Sequence, residues 1–420
     1  MIRTRKLYWA LGVVPTVLAA QQEGLLLGPL IDEALRNNPE ILAAQKRYEA
    51  ARQRPSQEAS LPDPRLSLGY TSNGNPLPLA GLGIHPTSNA GFMLTQELPF
   101  PGKRKLRAEM ASREAEAAFQ EYQAIQLNVL SRLKQAYHRL HHTYEAIAVL
   151  ERNRDLLRKF LRIAEARYSV GRAAQQDLFK AHTQLSILDT RIERMEQDKR
   201  SAEAEINSLL ARHPDAPLPR PPQIIPGELR VGLEDLYARA RTNSPLLRRE
   251  EKMVQRSELA LNLARKDYYP DYAVSAGYFN MGRMPDMYQF RVDFNLPAYF
   301  WRKQRAAVAE QAHNLSQARR SYEAADQIVH FRIKDNYLMA QTSYRLMKTY
   351  AELVIPQAGL ALESSVASYE TGAVDFLTVL SNFMTMVEYE ENYHQEMLSF
   401  HISLVKLEEL TGTELIDWVR

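Results

Sequence analysis

Two stretches of this sequence, some 200 residues apart, pass through the same landmarks in the same order. Near the start, LIDEALRNNPEI leads to LPDPRLSLGY; near the middle, LEDLYARARTNSPLL leads to YYPDYAVSAGY. Pro39 matches Pro245, Pro62-Asp63 matches Pro270-Asp271, and Gly69-Tyr70 matches Gly277-Tyr278. Leu98-Pro99 then matches Leu296-Pro297, and Tyr168 with Gly171 matches Tyr369 with Gly372. One motif can recur by chance, but five in order mark a tandem duplication. The divisions that follow are a leader at 1–20, a first repeat at 21–212, a connector at 213–230, a second repeat at 231–412 and a tail at 413–420. The connector holds six prolines between Pro214 and Pro226. Proline lacks the amide donor that helices need, so an extended link is expected there.

Each copy reads as a helix, a strand pair and a much longer helical hairpin. The opening helices are expected at about 25–57 and 233–266, with Asn38 and Asn243 as start signals ahead of a proline. In the second strand pair Tyr288, Phe290, Val292, Phe294 and Leu296 alternate with Gln289, Arg291, Asp293 and Asn295. That period of two gives one apolar and one polar face, as in a membrane-barrel strand or a half-buried soluble strand. Strands at 65–71, 89–98 and 272–279 alternate more weakly, with Ser67, Gly69, Ser275 and Gly277 on the polar side.

After Pro99 the period changes. Tyr122, Ile125, Val129, Leu133, Ala136, Leu140, Tyr144 and Ile147 recur every three or four residues, one face of a helix. From Lys103 to Tyr168 there is no proline or glycine, and a helix of that length spans roughly 100 Å. It should turn at Gly171 and return over 175–211. The second copy repeats this over 301–369, a turn at Gly372, and 376–410.

The first twenty residues put Arg3, Arg5 and Lys6 ahead of an apolar run from Leu7 to Leu18 and then Ala19-Ala20, the pattern of an export signal. Without those three cations, the 53 Lys and Arg become 50 against 50 Asp and Glu. A near-neutral mature chain lacks the positive surplus with which proteins displace counterions from nucleic acid. No cysteine is present, so neither a disulfide nor a lipid-modified N-terminal cysteine is available. No other stretch is long and apolar enough for a transmembrane helix, which leaves β-strands as the way into a membrane.

Four strands cannot close a barrel, because an open edge in lipid leaves unpaired amides. Two chains would supply eight strands, whose interior side chains tend to fill, whereas three supply twelve and a water-filled lumen. The expected fold class is therefore an α+β membrane protein. It would be a trimeric 12-stranded outer membrane β-barrel, four strands per protomer, continuous with a long periplasmic α-helical barrel. Gln289, Arg291, Asp293 and Asn295 would line its lumen.

The doubled layout, QELPFPGKRKLRAE with its counterpart LPAYFWRKQRAAVAE, and the tip motifs YSVGRAAQQDL and YETGAVDFLTVL resemble the TolC-like outer membrane efflux proteins across nearly the whole mature chain. The resemblance implies a homotrimer in outer membrane lipid that docks through a periplasmic adaptor onto an inner membrane efflux pump, and that conducts without chemistry. It also implies a closed state held by contacts at the helix tips, here Arg172, Asp177, Tyr369, Glu370 and Asp375 around the turns at Gly171 and Gly372. Ordinary solvated charges at helix ends are the plain alternative. Where some relatives carry a ring of aspartates, this chain has Thr378 and Ser381. The LPFPGKR wording resembles members that accompany heavy-metal pumps, which makes metal cations the first expected cargo; drug efflux and type I protein secretion are alternatives.

No cofactor, metal site or enzyme motif is expected. Met281, Met284 and Met287 could offer thioethers to Cu(I), but they fall in a hairpin turn. His138, His141 and His142 include a pair at i,i+4 spacing with no third ligand in view. A soluble periplasmic coiled-coil scaffold would explain the helices and leader, but not the alternating strands at matching places in both copies.

Overall fold

The computed structural model describes residues 24–73, 76–224 and 227–415. The leader at 1–20 and the end of the tail lie outside the described residues.

The chain opens with α1 (Leu27–Asn37), α2 (Pro39–Ala51) and α3 (Arg54–Ala59). The expected single helix is thus three, and the prolines are the reason. A residue before proline is pushed out of the helical region, and Asn38 has extended torsions of −65° and 122°. Its side chain turns the break into a cap. The oxygen accepts from the amides of Glu40 (2.9 Å) and Ile41 (3.2 Å), while the side-chain amide donates to the Leu209 carbonyl at 2.9 Å.

The second copy breaks in the same way into α6 (Leu233–Asn243) and α7 (Pro245–Lys266), at Ser244 rather than at Asn243. Between them lie strands β1 (Arg65–Thr71) and β2 (Asn89–Leu98), the long α4 (Lys103–Ser169), the returning α5 (Gln175–Leu209) and the connector. The connector is tied down at its start and its middle: Asn207 donates to the carbonyls of Pro214 (3.0 Å) and Ala216 (2.8 Å), and Leu25 donates to the Arg220 carbonyl at 3.0 Å.

Strands β3 (Asp271–Asn280) and β4 (Met287–Asn295) complete one antiparallel sheet in the order β1-β2-β3-β4. The pairing of β2 with β3, Thr95 opposite Ser275, joins the two copies. β1 and β4 are left as edges.

The second long helix is not continuous as expected. α8 (Lys303–Thr349) runs into a π turn over Tyr350–Val354 before α9 (Ile355–Thr371), and α10 (Phe376–Thr411) returns. Pro356 explains the interruption, since its ring clashes with the carbonyl four residues back and it has no amide to donate. No helix among the described residues is long and apolar enough to cross a membrane.

Apolar clusters hold the helices together. Leu133, Leu140 and Ile206 lie at the centre of the first, with α1 and α2 packed on α4 and α5. Leu236, Ile333 and Leu407 join α6, α7, α8 and α10. Toward the tips Leu157, Leu188, Phe376 and Phe383 make α4, α5, α9 and α10 one bundle. Each such side chain contributes about 1.5–3 kcal/mol through burial. Lys134 and Glu408, buried and 2.6 Å apart, also tie the first copy to the second.

Candidate functional site

Register assigns every strand residue to one of two faces of the sheet. Gln289, Arg291, Asp293 and Asn295 stand opposite Gly277, Ser275, Ala273 and Asp271. Across β2 and β1 the same face continues through Thr95, Glu97, Arg65 and Ser67. Most of it is polar, with Met93 at mid-strand and Phe279 and Met287 toward the β3–β4 turn as the large apolar side chains: Arg65 and Glu97 approach to 3.7 Å, Arg291 and Asp293 to 2.9 Å, and the Thr95 and Ser275 hydroxyls to 3.0 Å.

The other face carries Leu66, Leu68, Phe92, Leu94, Val274, Phe290, Val292 and Phe294, all exposed, Phe290 to 81%. A soluble half-buried sheet would cover its apolar face. Here the apolar face is bare, as in a sheet whose solvent is lipid.

Where the sheet meets the helices, Lys103 is 3% exposed. Its ammonium lies 3.1 Å from the Asp267 carboxylate and 3.0 Å from that of Asp271, and it donates to the Tyr269 carbonyl at 3.2 Å. The Asp271 carboxylate also accepts from the Phe100 amide at 2.6 Å, and the Phe100 ring stacks on Tyr269 with centroids 4.6 Å apart.

At the far end the helices turn through Gly171 and Gly372, at φ of 71° and 83°. Glycine adopts that left-handed backbone without a Cβ penalty. Asp375 caps α10: its carboxylate accepts from the Thr378 hydroxyl (2.6 Å) and amide (2.9 Å), which holds its pKa below the usual range. Tyr369 is buried against Phe376, and burial raises its phenol pKa. Arg172, Asp177 and Glu370 make no side-chain hydrogen bond or ion pair among the described residues, although Asp177 lies near enough to Tyr369 to disfavour the phenolate.

The residue that fastens the two tips was not singled out from sequence. It is Arg167, on α4. Its guanidinium donates to the carbonyls of Tyr369 and Glu370, the latter at 2.9 Å, and lies 4.6 Å from the centroid of the Tyr369 ring. The only signal available was a cation in the last turn of a helix, where orphan carbonyls accumulate.

The histidines belong to the core between α4 and α10. His138 and His401 stack with centroids 4.5 Å apart, and His142 lies 3.2 Å from the His394 carbonyl. Burial keeps them neutral by lowering their pKa values, to about 4 for His394 and His401. No group of three or more His, Cys, Asp or Glu able to hold a metal occurs among the described residues. Met281 and Met284 form the β3–β4 turn, and Met287 opens β4 opposite Phe279.

Comparison with known proteins fits this geometry. The sequence profile described as "Outer membrane efflux protein" matches residues 30–212 and again 236–413. Outer membrane protein TolC of Salmonella enteritidis is 22% identical over 414 residues, covering 94% of this chain and 83% of TolC. Among solved structures, a membrane protein from Pseudomonas aeruginosa superposes with a TM-score of 0.81 at 18% identity, over 93% of this chain and 92% of that one. The outer membrane protein VceC from Vibrio cholerae gives 0.78 at 17% identity, over 93% and 97%.

Proposed function

This chain belongs to the outer membrane efflux protein family, and from that premise we propose that it is the passive exit duct of a three-part efflux system, fed by an inner membrane pump through a periplasmic adaptor. Its place is the outer membrane, with the helical body reaching into the periplasm. The observation that carries the proposal is the sheet, bare and apolar on one face, polar on the other, and open at both edges.

An open-edged sheet in lipid needs partners for β1 and β4. Three copies would provide them and make a 12-stranded barrel, with Gln289, Arg291, Asp293 and Asn295 on the lumen wall. Exposed apolar residues along the second long helix, among them Phe331, Leu338, Leu346, Leu353 and Leu360, support the same assembly. They recur every seven or eight residues, a stripe suited to a neighbouring helix. The helices would then form a hollow α-barrel, shut at its end by Arg172, Asp177, Tyr369, Glu370 and Asp375.

Heavy-metal cations are our first cargo, on the strength of LPFPGKR; drugs and secreted proteins are the alternatives. Deleting the gene should lower tolerance to copper, silver, zinc or cobalt while leaving tolerance to detergents and dyes intact. The opposite pattern would reassign the cargo to drugs. A protein washed from envelopes by carbonate would instead be a periplasmic scaffold.

A further inference from the structure

Inside the chain, the seam between the two copies is filled. Lys103 opens α4 and sits buried on Asp271, while β2 pairs with β3 beside it. The same parts recur on the outer flanks of the copies, and there they are empty-handed. Lys303 opens α8 just as Lys103 opens α4. Pro62-Asp63 precedes β1 as Pro270-Asp271 leads into β3, 208 positions later. Lys303 and Asp63 are both exposed, and neither side chain has a hydrogen bond or ion pair among the described residues. Phe300 and Leu61, at the seats of Phe100 and Tyr269, are likewise exposed, at 50% and 41%.

In a ring built from a duplicated chain, the flank that ends the second copy meets the flank that begins the first copy of the next chain. The inner seam is then a template for the outer one. Thr95 stands three residues before Leu98-Pro99, and Asp293 three before Leu296-Pro297. Ser275 stands four residues after Asp271, and Ser67 four after Asp63. The pairs Thr95 with Ser275 and Leu94 with Ala276 therefore transpose to Asp293 with Ser67 and Val292 with Leu68.

We propose that Lys303 forms an ion pair with Asp63 of the partner subunit, at the foot of a strand seam in which Asp293 faces the partner subunit's Ser67 and Val292 faces the partner's Leu68. The place of Asp267 is taken by Ala59, so this seam has one carboxylate where the inner one has two. The inference rests on the trimeric reading above and adds its register.

The chain has no cysteine, so introduced thiols are the only ones. Within one chain β1 and β4 lie at opposite edges of the sheet, and a disulfide between them joins two chains. Ser67→Cys with Asp293→Cys, and Leu68→Cys with Val292→Cys, should give on oxidation in membranes a ladder ending at the covalent trimer. Ser67→Cys with Arg291→Cys, displaced by two residues, should give several-fold less. Cross-linking through the displaced pair alone, or none from a chain that sediments as a trimer, overturns the register and leaves the trimeric reading standing. Sedimentation as a monomer overturns both.

Lys303→Glu and Asp63→Lys should each reduce the fraction of trimer surviving SDS by roughly tenfold or more, the effect of leaving one member of a desolvated pair alone. The double exchange should restore it. Single variants that match the wild type, or a double variant no better than either single, would remove the ion pair from the proposal.

Discussion

Arg167 joins α4 of the first copy to the tip of the second, through two carbonyls and one aromatic ring. Arg167→Met keeps the apolar stem and removes the charge, at a local cost of about 1–3 kcal/mol. Faster hydrogen exchange at 369–372 should follow, and a larger single-channel conductance in bilayers. Arg167→Lys should recover little, since one ammonium cannot reproduce the planar fork. Asp177→Ala tests the proposed constriction separately: conductance should rise, and an unchanged value would take Asp177 out of it. The histidines make a different prediction. His394 and His401 have folded pKa values near 4, below the 6.5 of a free histidine. The unfolded chain therefore binds more protons between these values. Stability is complete above about pH 6.5 and declines toward pH 4, by up to about 1.4 kcal/mol per pH unit for each group. Melting temperatures across that range should fall with acid, and His401→Leu should flatten the slope.

At the scale of elements, β4 separates two environments residue by residue. Phe290→Arg places a charge on the bare apolar face, a cost of about 2–4 kcal/mol if that face meets lipid at mid-depth. Gln289→Arg, one position earlier, faces the polar side and should be tolerated. Carbonate-resistant membrane protein should fall for the first and hold for the second. The strands at 65–71 and 89–98 were legible to the residue, because Pro64 and Pro99 stand just outside them and alternation fills the rest. α4 was legible because nothing in it breaks a helix. The breaks at Asn38, Ser244 and Tyr350–Val354 were also written in the sequence, as Pro39, Pro245 and Pro356, but the helical period runs through them and conceals them. Arg167 was legible only as a cation in the last turn of α4, and its role was not. Its partners lie some 200 residues away, and only the folded hairpins bring the two tips together.

For the whole molecule, lumen charge offers a test that no single strand provides. In three copies Asp293→Arg would change the wall by six charges, close to its existing Arg291. The reversal potential in a salt gradient should move toward anion selectivity, and by less in high salt, where screening lengths shrink to a few ångströms. Cargo that carries charge should respond in the same direction. The length of α4 has a further consequence, which is mechanical. It is a rod roughly 100 Å long, anchored at the Lys103 joint, packed along its length and clasped near Gly171 through Arg167. One degree of rotation at that fulcrum would carry the far end almost 2 Å, several times the roughly 0.5 Å range of distances over which a hydrogen bond forms. The root alone cannot hold such an end in register, so its position is set by the packing along the rod and by the clasp at the tip.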